Sequence, residues 1–394
     1  MISKFSTRLN YCKTTIFILI ILVSLLSTVR AQSFESSAKS ALVVDNLTGN
    51  ILLEKNSGER IPPASMSKLM TLYMVFDALR HKRLLLTDMI KVSAEASQKG
   101  GSKMFLNEGQ MVSIEDIIRG IIIHSGNDAC IAVAETLSGT EAEFAKDMTE
   151  KAKTLGLTNS SFTNSTGWPD ENHYMSAQDL TKIATIIRTE FPDYYPYFSE
   201  KSFTWNKITQ DNRNPLLLKG LGADGLKTGH TEEAGYGLVG SAKRGNRRIT
   251  FVLSGLESKR GRTTESEKIV NWAYRDFSTK RVLKKNQTVG KMPVWLGTKN
   301  EAGLSVDEDI YVLVPKAKES QIKVQIEYDS PMTAPFEVGD RANAKLKVIT
   351  KIGSKTVEKE YDLYLSEPSE RGSFLTRMYA SMVIVANHIK QAIK

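Results

Sequence analysis

The sequence predicts an α/β (α+β) fold in which an antiparallel sheet carries a helical lobe, followed by a small all-β domain and a C-terminal amphipathic helix. Residues 32–278 open with a β-rich hairpin and an apolar helix, continue with helical periodicity, and close with strand-like runs and a further helix. Residues 279–366 hold short alternating runs separated by turn residues, which is typical of antiparallel strands. Residues 367–394 end in an apolar stripe at helical spacing.

Residues 1–31 have the features of an export signal. Basic residues precede an apolar run, Ile16 to Leu26, and small residues near Ala31 offer a cleavage site before Gln32. The alternative is an uncleaved membrane anchor, but the run is shorter than the roughly 20 residues that a spanning helix needs. We therefore expect secretion, with a mature chain that starts at Gln32.

The charge distribution argues against a nucleic-acid partner. The chain carries a formal net charge of +9, and loss of residues 1–31, which hold four basic residues and no acid, would leave +5. The remaining basic residues are spread along the chain and are not interleaved with aromatic ones. A mildly basic exported protein is the expected result.

The cysteines and histidines predict neither a disulfide nor a metal site. Cys12 lies in the predicted export signal, so Cys130 is left without a partner for an internal disulfide. Cys130 lies among small and apolar residues and is predicted to belong to the core. The five histidines show no pairing at metal-ligand spacing, and we expect no metal or other cofactor.

The elements of residues 32–278 follow from local patterns. Two β-rich runs around Gly49 predict a hairpin, and Pro62 and Pro63 suit the approach to the apolar helix that follows. Further helices are predicted at 114–136, with a break at 125–127, and at 141–155, 176–189 and 264–276, and strands at 236–242 and 248–254. This order predicts a sheet formed by both ends of the segment, with the helical lobe inserted between them.

The strand-like runs of the second segment lie at 293–296, 310–314, 322–328, 344–350 and 357–365. The apolar stripe of residues 373–394 has two interpretations: a helix that packs on its own protein, or a helix that lies in a membrane interface and is attracted by anionic lipid. Its large apolar side chains and the basic residues on its other faces favour the membrane surface as its partner.

Ser65 and Lys68, at the start of the apolar helix, are the candidate catalytic residues. Their i, i+3 spacing stacks the hydroxyl and the amine on one side of the first turn. Burial disfavours the charged form of an amine and lowers its pKa, so Lys68 is suited to accept the Ser65 proton. The pair predicts a nucleophile and its base.

The Ser-x-x-Lys spacing is a weak signal alone, because Ser36–Lys39 and Ser320–Lys323 share it. Neither of those pairs begins an apolar helix. What distinguishes Ser65–Lys68 is the presence, further along, of Ser-Gly-Asn at 125–127 and Lys-Thr-Gly at 227–229. Each tripeptide alone is typical of an ordinary loop or turn, but the three in order are the combination described for penicillin-binding proteins and related β-lactamases.

Residues 38–394 closely resemble the low-molecular-weight penicillin-binding proteins that act as D-alanyl-D-alanine carboxypeptidases, a serine peptidase family. The resemblance extends beyond the three motifs to the runs Met-Phe-Leu at 104–106, Asp-Gly-Leu-Lys-Thr-Gly-His-Thr at 224–231 and Gly-Arg at 261–262. It implies a penicillin-binding, β-lactamase-like transpeptidase fold. It also implies removal of the terminal D-alanine from peptidoglycan stem pentapeptides, with β-lactam antibiotics as covalent inhibitors.

The resemblance also implies a domain organisation and a location. Residues 1–31 would be the signal peptide, 32–278 the catalytic domain, 279–366 the antiparallel β domain and 367–394 the membrane-anchor helix. The mature protein is then expected at the periplasmic face of the cytoplasmic membrane, as a peripheral protein.

The resemblance implies a role in the reaction for four residues of this sequence. Ser65 attacks the carbonyl of the penultimate D-alanine and forms an acyl-enzyme. Lys68 is the expected base, although the identity of the base is disputed in this superfamily. Ser125 relays a proton to the departing D-alanine amine, and Asn127 donates to the amide carbonyl of the substrate.

A second group is expected to bind the substrate. The Lys227 ammonium and the Thr228 hydroxyl hold the terminal carboxylate, and Gly229 lets an edge strand approach the ligand closely. The backbone N–H groups of Ser65 and His230 are expected to form the oxyanion hole.

Three further residues border these motifs. Arg262 is a candidate for the field that attracts the carboxylate, although Arg260 beside it is an alternative. His173 lies in a segment that borders the site in the family, but such a histidine is more often structural. His124 replaces the glutamine that the family leads us to expect and brings a titratable group next to Ser125, so His124→Gln is predicted to alter the acidic side of the pH–rate profile.

Three alternative functions share parts of this pattern. A β-lactamase of class A would carry a Glu-x-x-Leu-Asn stretch for deacylation, which this sequence lacks. A DD-endopeptidase that cuts cross-links is closer and is not excluded by the motifs. A catalytically silent wall scaffold has no need of both Ser65 and Lys68.

Overall fold

The computed structural model describes residues 34–316, 320–328, 331–352, 355–375 and 378, and the architecture is that of the unit from Ser37 onward. The predicted signal peptide and most of the predicted C-terminal helix lie outside the described residues. In the part that is described, no helix is both long and apolar enough to cross a membrane.

The strands of the described part are, in chain order, β1 (Ser40–Asp45), β2 (Ile51–Lys55), β3 (Met89–Lys91), β4 (Met111–Ser113), β5 (Ser202–Trp205), β6 (Ile208–Asp211), β7 (Ala223–Thr231), β8 (Gly235–Arg244), β9 (Arg247–Leu256), β10 (Phe277–Leu283), β11 (Thr288–Trp295), β12 (Glu301–Ser305), β13 (Ile310–Pro315), β14 (Ser320–Tyr328), β15 (Met332–Thr333), β16 (Arg341–Ile352) and β17 (Lys355–Leu365). The α-helices are α1 (Lys68–Arg80), α2 (Ala94–Gln98), α3 (Ile114–Arg119), α4 (Asn127–Ser138), α5 (Glu141–Thr154), α6 (Ala177–Glu190) and α7 (Lys259–Asp276).

The main sheet has five antiparallel strands in the order β2-β1-β9-β8-β7. Its central strands are rich in Val, Ile, Leu and Phe and are buried, with Val43 of β1 opposite Phe251 of β9. The strand β7, which carries Lys-Thr-Gly, lies at the edge. The two ends of this segment therefore build one sheet with the helices inserted between them, which confirms the predicted fold class.

The helix α1 is the centre of the helical lobe. It is preceded by Pro63 and buries every residue except Met74 and Arg80; most of its side chains are apolar, and the buried set also includes Lys68, Thr71 and Asp77. It packs against α4, α5 and α6, and its side chains join the main hydrophobic core. Several helices of the lobe begin at a serine or threonine whose hydroxyl accepts a backbone N–H of the first turn: Ser93, Ser113, Thr140 and Ser176.

The predicted helix at 114–136 is divided into three parts. The helix α3 ends at Arg119 and is followed by a π-helical turn, Gly120–His124. Ser125 then has a positive φ of 59°, and α4 begins at Asn127, which confirms the predicted break. A non-glycine residue in the left-handed region is uncommon, and a π-helical turn is frequent at functional sites.

The β5–β6 hairpin was not predicted. Its turn residues Asn206 and Lys207 both have positive φ, as a two-residue hairpin turn requires, but Asn-Lys is a weaker sequence signal than Asn-Gly. The helix α7 begins at Lys259, earlier than predicted, because the Ser258 hydroxyl accepts from the N–H of Gly261 and caps it.

The structure of the β domain confirms the prediction that this part of the chain consists of β-strands. A six-stranded sheet has the order β14-β16-β17-β12-β11-β15, and β10 pairs separately with β13. These pairs are antiparallel except β11 with β15, which is parallel. The Lys359 ammonium of β17 donates to the Thr48 carbonyl in the β1–β2 turn, so the β domain contacts the main sheet.

Candidate active site

Ser65 lies in a 3₁₀ turn, Ala64–Ser67, directly before α1. The turn is tight, and Ala64 has a positive φ of 48°. Because Lys68 is the first residue of α1, the i, i+3 spacing brings its amine to within 2.9 Å of the Ser65 hydroxyl. Ser65 is partly exposed, whereas Lys68 is fully buried.

The Lys68 amine has two further oxygen neighbours. It lies 2.8 Å from Asn127 Oδ1 and 2.5 Å from the Thr166 carbonyl oxygen. Burial lowers the pKa of Lys68 from 10.5 to about 8, because the charged ammonium loses its hydration. About one tenth of the Lys68 amine is then neutral at pH 7, far more than for an ordinary lysine, and this neutral form can act as a general base.

Ser125 and Asn127 reach the same point from the helical lobe. The left-handed conformation of Ser125 ends the π-helical turn, and Asn127 opens α4. The Asn127 side chain donates to the Gly100 carbonyl, and its backbone N–H donates to the Ser102 carbonyl. The neighbouring Asp128 carboxylate accepts the N–H groups of residues 104 and 106, so the 100–106 loop is fixed beside the site.

Lys227 closes the site from the sheet. Its ammonium donates to Ser125 Oγ at 2.8 Å, and the residue is 1% exposed. Burial lowers the pKa of Lys227 well below its ordinary value, and the positive charges of Lys68 and Arg213 lower it further. Two lysines thus lie in one cleft, one against each serine hydroxyl.

Gly229 allows β7 to approach the Ser65 turn. A Cβ at this position would lie 2.9 Å from the Pro63 carbonyl oxygen, closer than real Cβ atoms approach, and in a tight contact of 3.0 Å with Met66 Cγ. Thr228 beside it is buried, and His230 is exposed, with its ring centroid 3.8 Å from that of Tyr236.

Arg262 lies behind this ring pair. Its guanidinium carbon is 5.7 Å from the centroid of Tyr236, and the residue is 5% exposed. Burial lowers the pKa of Arg262 to about 10, and Nε has no hydrogen-bond partner among the described residues. Arg260 is solvent-exposed, so burial next to the site favours Arg262 of the two.

Two groups at the candidate active site were not predicted from the sequence. The Thr166 carbonyl contacts the Lys68 amine, but a backbone oxygen leaves no trace in a residue pattern. Arg213 donates to Ser102 Oγ at 2.7 Å and lowers the pKa of both lysines by its charge. An arginine in a polar run, Asn-Arg-Asn, gave no signal of its own. The predicted site residues thus come together in one cleft, and their individual roles stay predictions.

His124 is fully buried next to Ser125. Its Nε2 lies 3.0 Å from the Phe203 carbonyl oxygen of β5, and its Nδ1 has no partner in the described structure. Burial lowers the pKa of His124 below 6.5, so the ring is neutral at neutral pH. Protonation at lower pH would introduce a buried charge beside the predicted relay serine.

We expect His124→Gln to retain neutral-pH activity and to change the acidic limb of the pH–rate profile. Below the lowered pKa of His124 a second protonation adds to that of Lys68, so wild-type activity should fall by more than about tenfold per pH unit, whereas the variant should fall about tenfold. The measurement is kcat/KM between pH 4.5 and 8. His81→Gln, at an exposed histidine of the same lobe, is the control, and superimposable profiles for wild type and His124→Gln would refute the expectation.

His173 is buried under residues 162 and 163. Its Nδ1 accepts the Thr163 N–H at 3.3 Å, and its ring packs edge-on against Phe162. Burial lowers the pKa of His173 to about 4, and Nε2 has no partner among the described residues. The burial and the packing against Phe162 fit the predicted structural role of His173, which stays a prediction.

His173 should make the fold sensitive to acid. Its pKa is lower in the folded than in the unfolded state, so stability is lost as pH falls from about 6.5 to about 4, by about 3 kcal/mol. Asn keeps an acceptor for the Thr163 N–H and does not titrate, so His173→Asn should reduce this loss. Urea unfolding at pH 7 and pH 4.5 measures the difference, with His81→Asn as the control. An equally acid-sensitive His173→Asn variant would contradict the assignment.

A buried amine against a serine hydroxyl, in a cleft bounded by a helical lobe and an antiparallel sheet, is the arrangement expected of a serine acyl-transfer enzyme. The family models that match the sequence agree with this class. The family model described as D-alanyl-D-alanine carboxypeptidase, peptidase S11, matches residues 27–257, and the model of the C-terminal domain of penicillin-binding protein 5 matches residues 277–371. The chain therefore belongs to the D-alanyl-D-alanine carboxypeptidase family.

Curated relatives align along most of the chain. The D-alanyl-D-alanine carboxypeptidase DacC of Escherichia coli K12 is 36% identical over 360 residues, which covers 89% of this chain and 88% of the relative. DacF of Bacillus subtilis is 35% identical, with coverage of 90% and 91%. A D-alanyl-D-alanine endopeptidase of Pseudomonas aeruginosa is 31% identical and covers 52% of this chain.

Solved structures agree with the fold. Penicillin-binding protein 5 of Haemophilus influenzae has a TM-score of 0.77 at 35% identity, covering 86% of this chain and 99% of that one. Penicillin-binding protein D2 of Listeria monocytogenes, in its ampicillin-bound form, has a TM-score of 0.56 at 27% identity, covering 61% of this chain and 98% of that one. The predicted penicillin-binding fold and the predicted family are confirmed.

Proposed function

We propose that this protein is a serine-type D-alanyl-D-alanine carboxypeptidase that removes the terminal D-alanine from peptidoglycan stem pentapeptides in cell-wall maturation. The observation that carries the proposal is the buried Lys68 amine 2.9 Å from the Ser65 hydroxyl, with Lys227 at the second serine, Ser125, of the same cleft. Nearly the whole length of the curated carboxypeptidase relatives is represented in this chain, which supports the same activity.

In the acylation step, Ser65 Oγ attacks the carbonyl carbon of the penultimate D-alanine while Lys68 takes its proton. The C–N bond then breaks, and the departing D-alanine amine receives a proton through Ser125, whose hydroxyl is in contact with Lys227. The backbone N–H groups of Ser65 and His230 donate hydrogen bonds to the oxyanion. Attack of water on the ester releases the shortened peptide and restores Ser65.

The specificity for a terminal carboxylate follows from charge. Arg213 and Arg262 are close enough to Lys227 for their charges to lower its pKa, and Thr228 follows Lys227 on the same strand. A carboxylate that binds there gains charge-assisted hydrogen bonds and relieves the repulsion among the cations. Asn127 is available to hold the amide of the substrate beside Lys68.

β-Lactams are proposed to acylate the same hydroxyl, because they present a strained amide carbonyl next to a carboxylate. The similarity to a structure that carries ampicillin supports this expectation. A β-lactamase function is less favoured because the sequence lacks the glutamate stretch on which class A deacylation depends. A scaffold function is less favoured because a partnered Ser65 and Lys68 are retained.

The endopeptidase is the second candidate, since a relative of that name shares part of this chain. One experiment separates the candidates: the mature protein is incubated with a stem pentapeptide and with cross-linked peptidoglycan, and free D-alanine and cross-links are measured. Release of D-alanine with intact cross-links is expected. Loss of cross-links without release of D-alanine would refute the carboxypeptidase proposal.

We further propose export of residues 32–394 and attachment to the membrane surface through residues 367–394, with residues 279–366 as a spacer that lifts the catalytic domain, residues 32–278, from the lipid. At the start of the C-terminal apolar stripe, Phe374, Leu375 and Met378 are 71%, 69% and 43% exposed, which suits contact with lipid. A chain that ends at Gly372 should lose its attachment. The test is co-sedimentation with anionic vesicles, and equal sedimentation of the full and the shortened chains would contradict the anchor.

A further inference from the structure

The loop formed by residues 163–168, which we call the crossing loop, lies directly on the Ser65 turn and α1. The Ser165 carbonyl accepts the Thr71 hydroxyl at 2.6 Å, and the Thr166 carbonyl lies 2.5 Å from Lys68 Nζ. At Gly167, whose φ is +79°, a Cβ would lie 1.9 Å from the Ala64 carbonyl oxygen. The main chain of the crossing loop therefore packs against the turn that carries the predicted nucleophile and contacts the predicted base.

One side chain, Asn164, makes most of the hydrogen bonds within the crossing loop. The Asn164 Oδ1 oxygen accepts the backbone N–H groups of Thr166, Gly167 and Trp168 at 3.1, 2.8 and 3.0 Å, and the Thr166 hydroxyl at 2.9 Å. Its Nδ2 donates to the Trp168 carbonyl at 3.1 Å. Three converging N–H groups require an acceptor, so the orientation of this amide follows from its partners.

The Thr166 carbonyl helps to orient the lone pair of the Lys68 amine by accepting one of its N–H groups. A neutral amine has two N–H groups and one lone pair. If the N–H groups donate to Asn127 Oδ1 and to the Thr166 carbonyl, the lone pair is left for the Ser65 hydroxyl, 2.9 Å away. A Thr166 carbonyl that turned away would leave the amine free to rotate, and the fraction of time in the reactive orientation would fall.

We propose that Asn164 is a positioning residue for acylation: it holds the crossing loop so that the Thr166 carbonyl orients the Lys68 amine toward Ser65. The inference rests on the proposed function and adds to it a residue that acts through the backbone, without contact to the substrate.

The crossing loop has a second attachment that is independent of Asn164. The Glu141 carboxylate accepts both the backbone N–H of Ser165 at 2.9 Å and its hydroxyl at 2.6 Å. Loss of the Ser165 hydroxyl weakens the attachment of the loop but leaves all the Asn164 hydrogen bonds in place. Asn164→Ala and Ser165→Ala therefore separate the orientation of the Thr166 carbonyl from the general stability of the loop.

The test is the rate constant of covalent acylation by a fluorescent penicillin, together with the dissociation constant of the initial complex, between pH 6 and 10. We expect Asn164→Ala to lower the limiting rate constant by roughly 10- to 100-fold while the dissociation constant is unchanged. Asn164→Asp keeps the acceptor oxygen and should recover most of the rate. Its added negative charge should raise the pH midpoint of the profile, because it favours the Lys68 ammonium.

Two controls keep the result specific. Asn172→Ala removes an exposed asparagine side chain four residues beyond the end of the crossing loop and should acylate as wild type does. Ser165→Ala should retain the rate even where its melting temperature falls as far as that of Asn164→Ala. Equal rate losses in Ser165→Ala and Asn164→Ala, or no recovery in Asn164→Asp, would overturn the inference.

The outcome also distinguishes this inference from the proposed function. Wild-type acylation with no loss in Asn164→Ala would overturn the inference alone. Failure of the wild-type protein to acylate would overturn the proposed function and the inference together.

Discussion

Ser65→Ala is expected to abolish both the release of D-alanine from a stem pentapeptide and covalent labelling by a fluorescent penicillin. Each process needs the Ser65 oxygen as the atom that forms the acyl bond, and no other hydroxyl among the described residues lies within hydrogen-bond distance of the Lys68 amine. Loss of a nucleophile typically costs on the order of 10⁶ in kcat. A D-alanine assay and gel fluorescence measure the two effects.

The chain supplies its own control for this variant. Ser320 and Lys323 repeat the Ser-x-x-Lys spacing on a strand, β14, of the other domain. Ser320→Ala should therefore release D-alanine and react with penicillin as wild type does. Labelling that survives Ser65→Ala would show that the nucleophile has been assigned wrongly.

Lys68→Met is expected to lower the acylation rate constant by about 10³-fold, within the range for loss of a general base. Methionine fills a similar volume without a charge to bury, so the fold should be retained. In the wild-type enzyme, the rate should rise about tenfold per pH unit between the lowered pKa of His124 and about pH 8, where the Lys68 pKa lies, and then level off. Stopped-flow acylation from pH 5.5 to 9.5 measures both.

Lys323→Met is the matched substitution at the exposed lysine of the second Ser-x-x-Lys pair, and it should leave the profile unchanged. A pH-independent wild-type rate, or a Lys68→Met variant that acylates at the wild-type rate, would exclude Lys68 as the base. Lys227 would then be the next residue to test, since it lies against the second serine hydroxyl.

The fold could be predicted from the sequence to the extent that it depends on periodicity. The apolar helix after Pro63, the hairpin at the start and the strands β8 and β9 all have apolar patterns, and all were found. The β5–β6 hairpin was missed because its strands are short and mostly polar. The π-helical turn at Gly120–His124 was also missed, because its residues continue the apolar run of α3.

The site residues that could be predicted from the sequence are those that belong to a motif of fixed spacing or to a recognisable tripeptide. Ser65 and Lys68 are close in the chain, and Lys227 belongs to a motif. Arg213 approaches the cleft only through tertiary structure, and Thr166 contributes a backbone oxygen that any residue would provide. The pKa directions likewise depend on burial, which a sequence does not contain.

The close approach at Gly229 has a consequence for antibiotic resistance. Substrate and β-lactam would use the same strand edge, since each presents a carboxylate beside an amide carbonyl. A side chain at position 229 would force either β7 or the segment at Pro63 to shift, and Lys227 and Thr228 are its neighbours on β7. A mutation that excludes the drug at this point would exclude the natural peptide as well. Selection for resistance is therefore expected to leave position 229 unchanged and to act elsewhere in the protein.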